Sequence, residues 1–148
     1  MGRIEERLTE MGLALDPAKA PVASYLGTKR SGNLLFVSGR VSEQRGQVGL
    51  DVSPPQARLA ARDTMLDLLA IIKADIGSLD RIVSIVTLRG FVNADASFDA
   101  LPQVIDGASE LLIALYGESG RHARTATGAA QLPYGATIQL DLVVELKE

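Results

Sequence analysis

Between positions 136 and 146 the chain alternates without a break. Ala136, Ile138, Leu140, Leu142, Val144 and Leu146 share one side; Thr137, Gln139, Asp141, Val143 and Glu145 share the other. A period of two predicts a strand with one face on a core and the other toward water or a partner. Ile82 to Val92 is rich in β-branched residues and apolar on both faces, which predicts a central strand. Leu34-Leu35-Phe36-Val37 is a continuous apolar run, as expected of a strand covered on both faces, and the strand is placed over Leu34 to Ser38. Its hairpin partner is predicted at Val22 to Thr28, with Lys29-Arg30-Ser31-Gly32-Asn33 as the loop between them. Arg124 to Ala130 is a weaker strand, parted from the last one by the turn Leu132-Pro133-Tyr134-Gly135.

Elsewhere the period lengthens to that of a helix. Ser53 is a plausible N-cap and Pro54 fits the first helical position, where its missing N–H costs nothing. Ala57, Ala61, Met65, Leu68 and Ile72 then form one stripe, and Gly77 is the natural stop. The polar side, with Arg58, Arg62, Asp63, Asp67 and Lys73, reads as solvated surface. A second helix runs from about Leu101 to Tyr116 on Val104, Ala108, Leu111 and Leu115, and ends at Gly117. Residues 1–14 suggest a short helix on Ile4, Leu8 and Met11, followed by a proline-containing loop to Pro21. The order β-β-α-β-α-β-β predicts an α+β fold: one mixed sheet with two helices packed on one face. The other face is then water, a partner, or some of each. The double-sided apolar character of Ile82 to Val92 favours a partner, and hence an oligomer.

Composition narrows this further. A length of 148 residues fits one domain over 1–148, with 1–20 as an N-terminal helical extension. At that size roughly 68–70% of the unfolded surface can be buried, so the core needs no staples. With no cysteine there are no disulfides, thiolate nucleophiles or Cys-based metal sites. The charged N-terminus lacks the apolar core of a signal peptide, and no stretch approaches the ~20 apolar residues of a membrane span, so a cytoplasmic protein is expected. A net charge of −3, three Tyr, three Phe and no Trp weigh against nucleic acid, although Lys29-Arg30 or Arg121-His122-Arg124 could form a local basic patch.

The chemistry-bearing residues are few. The single histidine, His122, cannot build a multi-histidine metal site and reads as a surface or cap residue. No nucleophile elbow, dinucleotide fingerprint or phosphate-binding loop occurs, so no cofactor is expected. Asp141 and Glu145 lie about 13 Å apart along one strand, too far for a direct dyad. Arg124 stands at a strand start after a glycine-containing loop. There it either holds a small carboxylate in a two-pronged pair or makes an ordinary salt bridge. Ser38-Gly39-Arg40 ends an apolar strand, where a glycine either admits a ligand to the backbone or simply turns the chain.

The stretch His122-Ala123-Arg124 to Leu132-Pro133, followed by the alternating strand, resembles the signature of the reactive-intermediate-deaminase (Rid, YjgF-like) family. Tyr25 and the run Gly32 to Arg40 resemble that family's first hairpin and its Ser-Gly turn, so the resemblance covers roughly residues 20–146. Ser109-Glu110-Leu111-Leu112 and Tyr116-Gly117 resemble a divergent branch labelled endoribonuclease L-PSP or chorismate-mutase-like. The resemblance implies a chorismate-mutase-like fold of the bacillary type and a homotrimer with clefts between subunits. It also implies hydrolysis of amino-acid-derived imines or enamines to a 2-keto acid and ammonia, without a cofactor. Arg124 would hold the substrate carboxylate, and Tyr25 with backbone groups at Ser38 and Gly39 would shape the pocket. Gln139 stands where deaminase members carry a water-positioning Glu. Ala126 replaces their pocket Cys, the segment around Pro102 lacks their usual Asn, and the second helix is longer than theirs. An amide orients a water but cannot take its proton. These departures keep open a non-catalytic trimer that binds a small carboxylate or scaffolds another protein. Endoribonuclease action is a third reading, disfavoured by the acidic balance.

Overall fold

In the computed structural model, which describes residues 2–148, the elements run α1 (Arg3–Glu10), β1 (Thr28–Ser31), β2 (Leu34–Val41), α2 (Pro54–Ile76), β3 (Ile82–Asn93), α3 (Leu101–Tyr116), β4 (Ala123–Ala129) and β5 (Ile138–Leu146). Local chemistry explains the long helix. The Ser53 hydroxyl accepts from the Gln56 N–H, and the Gln56 side chain accepts from the Ser53 N–H. This reciprocal capping box satisfies donors that the first turn would otherwise leave bare, and the proline beside it removes another, having no N–H.

The five strands form one sheet in the order β1-β2-β5-β3-β4, with β1 and β4 as its edges. Only β3 and β4 run parallel; every other pairing is antiparallel, so the sheet is mixed. Both long helices lie on one face. Met65, Leu68, Leu69 and Ile72 of α2 and Ile105, Leu112 and Leu115 of α3 join Leu35, Leu88, Leu140, Leu142 and Val144 of the sheet in one core. Each such side chain contributes about 1.5–3 kcal/mol by leaving water.

Three expectations need correction. Val22 to Gly27 is not a strand; β1 lies later, and the turn is only Gly32-Asn33, with Gly32 at φ 58° in the glycine-first arrangement of a two-residue hairpin loop. Within one copy Leu34 to Val37 is covered on one face only, while Ile82 to Val92 is the interior strand expected of it. The helices cover one side, and Leu34, Phe36, Val83 and Val86 stay 36–46% exposed. The polar side of α2 is more than solvated surface. Arg58 bonds the Gln103 carbonyl and the Glu110 carboxylate, Asp67 pairs with Lys19 at 2.8 Å, and Lys73 approaches Glu5 at 3.6 Å. Of that group, only Arg62 and Asp63 pair with each other.

Helix α1 is shorter than expected, and its start is capped from far along the chain. Gly2, its N-cap, has no side chain to offer; instead Asp80 accepts from the Ile4 N–H at 3.0 Å and from the Arg3 N–H at 2.9 Å. The same strip is tied by Arg7 to the Leu115 carbonyl and by the Tyr116 hydroxyl to the Leu79 carbonyl at 2.9 Å. The two amide donors, Ile4 first, hold the Asp80 carboxyl below its ordinary value of 3.8. A depressed carboxyl stabilises the fold fully above the unfolded value and loses that contribution as pH falls through the lower native one. Asp80→Ala is expected to cost about 1 kcal/mol in urea unfolding at neutral pH. The gap to wild type should close as the pH drops below the ordinary aspartate range; a gap that persists there would show that Asp80 acts otherwise than as a charged cap.

Candidate functional site

The β2–β5 ladder breaks between Val37 and Arg40, leaving Ser38 and Gly39 outside the regular register. Such a bulge re-aims side chains and frees backbone groups. Gln139 of β5 lies beside it, so close that a Cβ on Gly39 would sit 3.4 Å from the Gln139 Nε2. Glycine at this position leaves room for the amide against the backbone. Ser38 also moors the loop before β1: its N–H donates to the Gly27 carbonyl and its hydroxyl to the Leu26 carbonyl, at 2.9 and 2.6 Å. That loop carries Tyr25. The result is a cavity of about 600 Å³ bordered by Tyr25, Ser38, Gly39 and Gln139, with Arg40, Arg45 and Tyr134 at its rim.

Arg124 is elsewhere in the chain. It projects from β4 toward α3, and its Nη1 donates to Asp106 Oδ1 at 2.6 Å and to Ser109 Oγ at 3.1 Å. Two strands separate β4 from β2, which at the usual spacing places it roughly 14 Å across the sheet from the Ser-Gly bulge. His122 belongs to the same cluster. Its Nδ1 lies 2.6 Å from the Gly120 carbonyl, an acceptor, so Nδ1 carries the hydrogen and Nε2 accepts from the Ser109 hydroxyl at 2.9 Å. The histidine therefore links the start of β4 to α3. Ala126 follows Arg124 on β4, paired with Gly90 of β3. Asp141 is paired with Arg89 at 2.9 Å, and Glu145 accepts from Ser84 at 3.2 Å; the two act separately.

Against known proteins, residues 5–146 match the model of the family described as "YjgF/chorismate mutase-like, putative endoribonuclease". The chain belongs to this family. It is 38% identical to Protein TCP17 of Trypanosoma cruzi over 152 residues, spanning 98% of this chain and 95% of the relative. Among solved structures, a protein of unknown function from Agrobacterium tumefaciens superposes with a TM-score of 0.91 at 40% identity, over 97% of this chain and 92% of that one. A structure from Shewanella oneidensis described as a "putative endoribonuclease" gives 0.94 at 31% identity, over 98% and 100%. The mixed sheet and its three helices are thus those of a YjgF-like, chorismate-mutase-like fold.

For this YjgF-like chain, sequence reasoning left out several residues of the cavity. Tyr134 was visible only as part of a turn, yet it adopts φ 60°, a left-handed conformation that a bulky residue rarely takes. Arg45 donates to the Tyr134 carbonyl and stands 5.9 Å over its ring. Lys19 and Arg45 gave no signal, since each pairs with partners dozens of residues away. No helix of the described residues is long and apolar enough to cross a membrane.

The Arg124–Asp106 pair is half-buried and charge-assisted. A double-mutant cycle with Arg124→Ala and Asp106→Ala is expected to give a coupling of roughly 1 kcal/mol in chemical denaturation. A coupling of zero would mean that the pair contributes nothing to the fold.

Proposed function

We propose that this protein is a deaminase of 2-iminoacids or enamines, working as a homotrimer whose clefts combine the cavity of one copy with Arg124 of the next. The observation that carries the reading is the juxtaposition of the Gln139 amide, the Ser38–Gly39 bulge and Tyr25 around one cavity. Support for association comes from Leu34, Phe36, Val83 and Val86, exposed apolar residues that water solvates poorly. Membership of the YjgF-like family fits both parts of the reading.

The reaction asks little of the protein. Water adds to the electrophilic C=N carbon, the nitrogen takes a proton, and the tetrahedral adduct collapses to a 2-keto acid and ammonia. Placing water and substrate supplies most of the gain. The Gln139 carbonyl oxygen would accept a hydrogen bond from that water, and the substrate's own imine nitrogen, more basic than an amide, would receive the proton. Tyr25 would cover the carbon skeleton. Arg124 would anchor the carboxylate by exchanging part of its pairing with Asp106 for a pairing with substrate.

A second reading has observations of its own. Gln139 cannot accept a proton, and Arg124 is already satisfied by Asp106 and Ser109. Both suit a trimer that binds a small carboxylate without turning it over. The endoribonuclease named for the Shewanella relative is the third reading; a net charge of −3 gives a phosphate backbone little to bind.

Two measurements test the proposal. Light scattering should give a mass near three times 15.7 kDa, and a clean monomer would remove the shared cleft. Fresh 2-iminoacids, generated by an amino-acid oxidase, should release ammonia faster with the protein present. Arg124→Ala should lower that acceleration by about 10- to 100-fold, the loss of one charge-assisted hydrogen-bonded anchor. No acceleration across a panel of side chains would favour the non-catalytic binder.

A further inference from the structure

The charges around the cavity are not balanced. Lys19 is spoken for: its Nζ lies 2.8 Å from both Glu43 Oε1 and Asp67 Oδ2. Glu43 is the one carboxylate of the lining, and Lys19 holds it ionised below its usual range, so it is committed to that pair. Arg40 and Arg45 are different. Arg40 Nη1 donates to the Ala20 carbonyl at 3.1 Å, and Arg45 donates to the Tyr134 carbonyl; among the described residues neither has a carboxylate within salt-bridge distance. Arg58, Arg62, Arg89, Arg121 and Arg124 pair with acids, and Arg3, Arg7, Arg30 and Arg81, which pair with none among the described residues, lie outside the cavity lining. In a chain of net charge −3, two arginines without acidic partners thus border the same cavity, next to a neutral glutamine.

Both guanidiniums are oriented by bonds to backbone carbonyls, which use some of their five donors and leave the rest for another acceptor. Each is also fixed to the frame of the cavity. Arg40 is the first residue back in register after the bulge, opposite Leu140, and Arg45 bridges to Ala136 beside the strained Tyr134 turn. Planar, pre-oriented donors not paired with an acid recognise carboxylates strongly, and the one acid of the lining, Glu43, is held by Lys19. We propose that Arg40 and Arg45 form an anion-binding end of the cavity that selects ligands with a negatively charged side chain, so that the substrate class is the dicarboxylic 2-iminoacids and the products the matching 2-keto diacids. This rests on the cavity being the substrate site, as proposed above: one carboxylate goes to Arg124 of a neighbouring copy, the other to Arg40 and Arg45.

Titration calorimetry on the full chain with glutarate and with butyrate, which lacks the second carboxylate, tests the selection without turnover. Glutarate should bind at least about tenfold more tightly than butyrate. Arg40→Gln and Arg45→Gln should each weaken glutarate by about tenfold and change butyrate by less than about twofold, while Arg40→Lys should recover part of the loss. Arg45 is exposed and Arg40 half-buried, and thermal unfolding checks that the variants fold. Equal affinity for the two acids, or glutarate binding indifferent to both glutamine variants, would overturn the proposal. Ammonia release from the iminoacids of glutamate and leucine separates the two claims. Arginine-dependent glutarate binding with no ammonia release refutes the deaminase and keeps the anion end. Release that is no faster for the glutamate iminoacid, together with equal binding of the two acids, refutes the anion end and keeps the deaminase.

Discussion

Everything in the molecule hangs on the register of β5. It pairs on both sides, with β2 and β3, and its alternate residues serve different masters: Ile138, Leu140, Leu142, Val144 and Leu146 enter the core, while Gln139, Asp141, Val143 and Glu145 face away from the helices. A slip of one residue would exchange the two sets, exposing five large apolar side chains and burying two carboxylates. The hydrophobic demand of the core therefore fixes the position of Gln139 as firmly as it fixes Leu140. The outer face, with Gln139, inherits its precision from packing on the opposite face.

Polar contacts between distant segments complete the arrangement. Asp80 caps a helix more than seventy residues earlier in the chain, Asp67 reaches Lys19, and Arg58 crosses to α3. Such links contribute little one by one at a solvated surface. Their value is geometric, since they tell the flanking segments where to lie on a frame already set by burial. The loop with Tyr25 is the clearest case: it is held by Ser38 and Arg40, residues of the strand that borders the cavity.

Elements governed by neighbours in sequence were legible from sequence. Ser53, Pro54 and Gln56 announce α2, and the period of β5 is visible without knowing its partners. Val22 to Gly27 misled because its composition is strand-like while its conformation is set by bonds from β2 to the Leu26 and Ala20 carbonyls. The apolar outer residues of β2 and β3 were legible as apolar, but composition alone does not say what packs over them. Tyr25, Ser38, Gly39 and Gln139 were named through resemblance and lie around one cavity. The partner of Arg124 was hidden, since Asp106 reads as an ordinary helical charge until α3 is laid against β4. The same holds for Arg40 and Arg45, whose distinction is that both border one cavity without a salt-bridge partner, a property of three dimensions only.

The two edges of the sheet are unlike each other. β1 is four residues long and carries Lys29 and Arg30, the sort of short, charged margin that discourages a further strand. β4 is longer and, apart from Arg124, made of alanine, threonine and glycine. A fibre grown edge to edge needs two margins that accept one another, repeated without end. Here only one margin is receptive, so the short charged β1 works against edge-to-edge growth of the sheet.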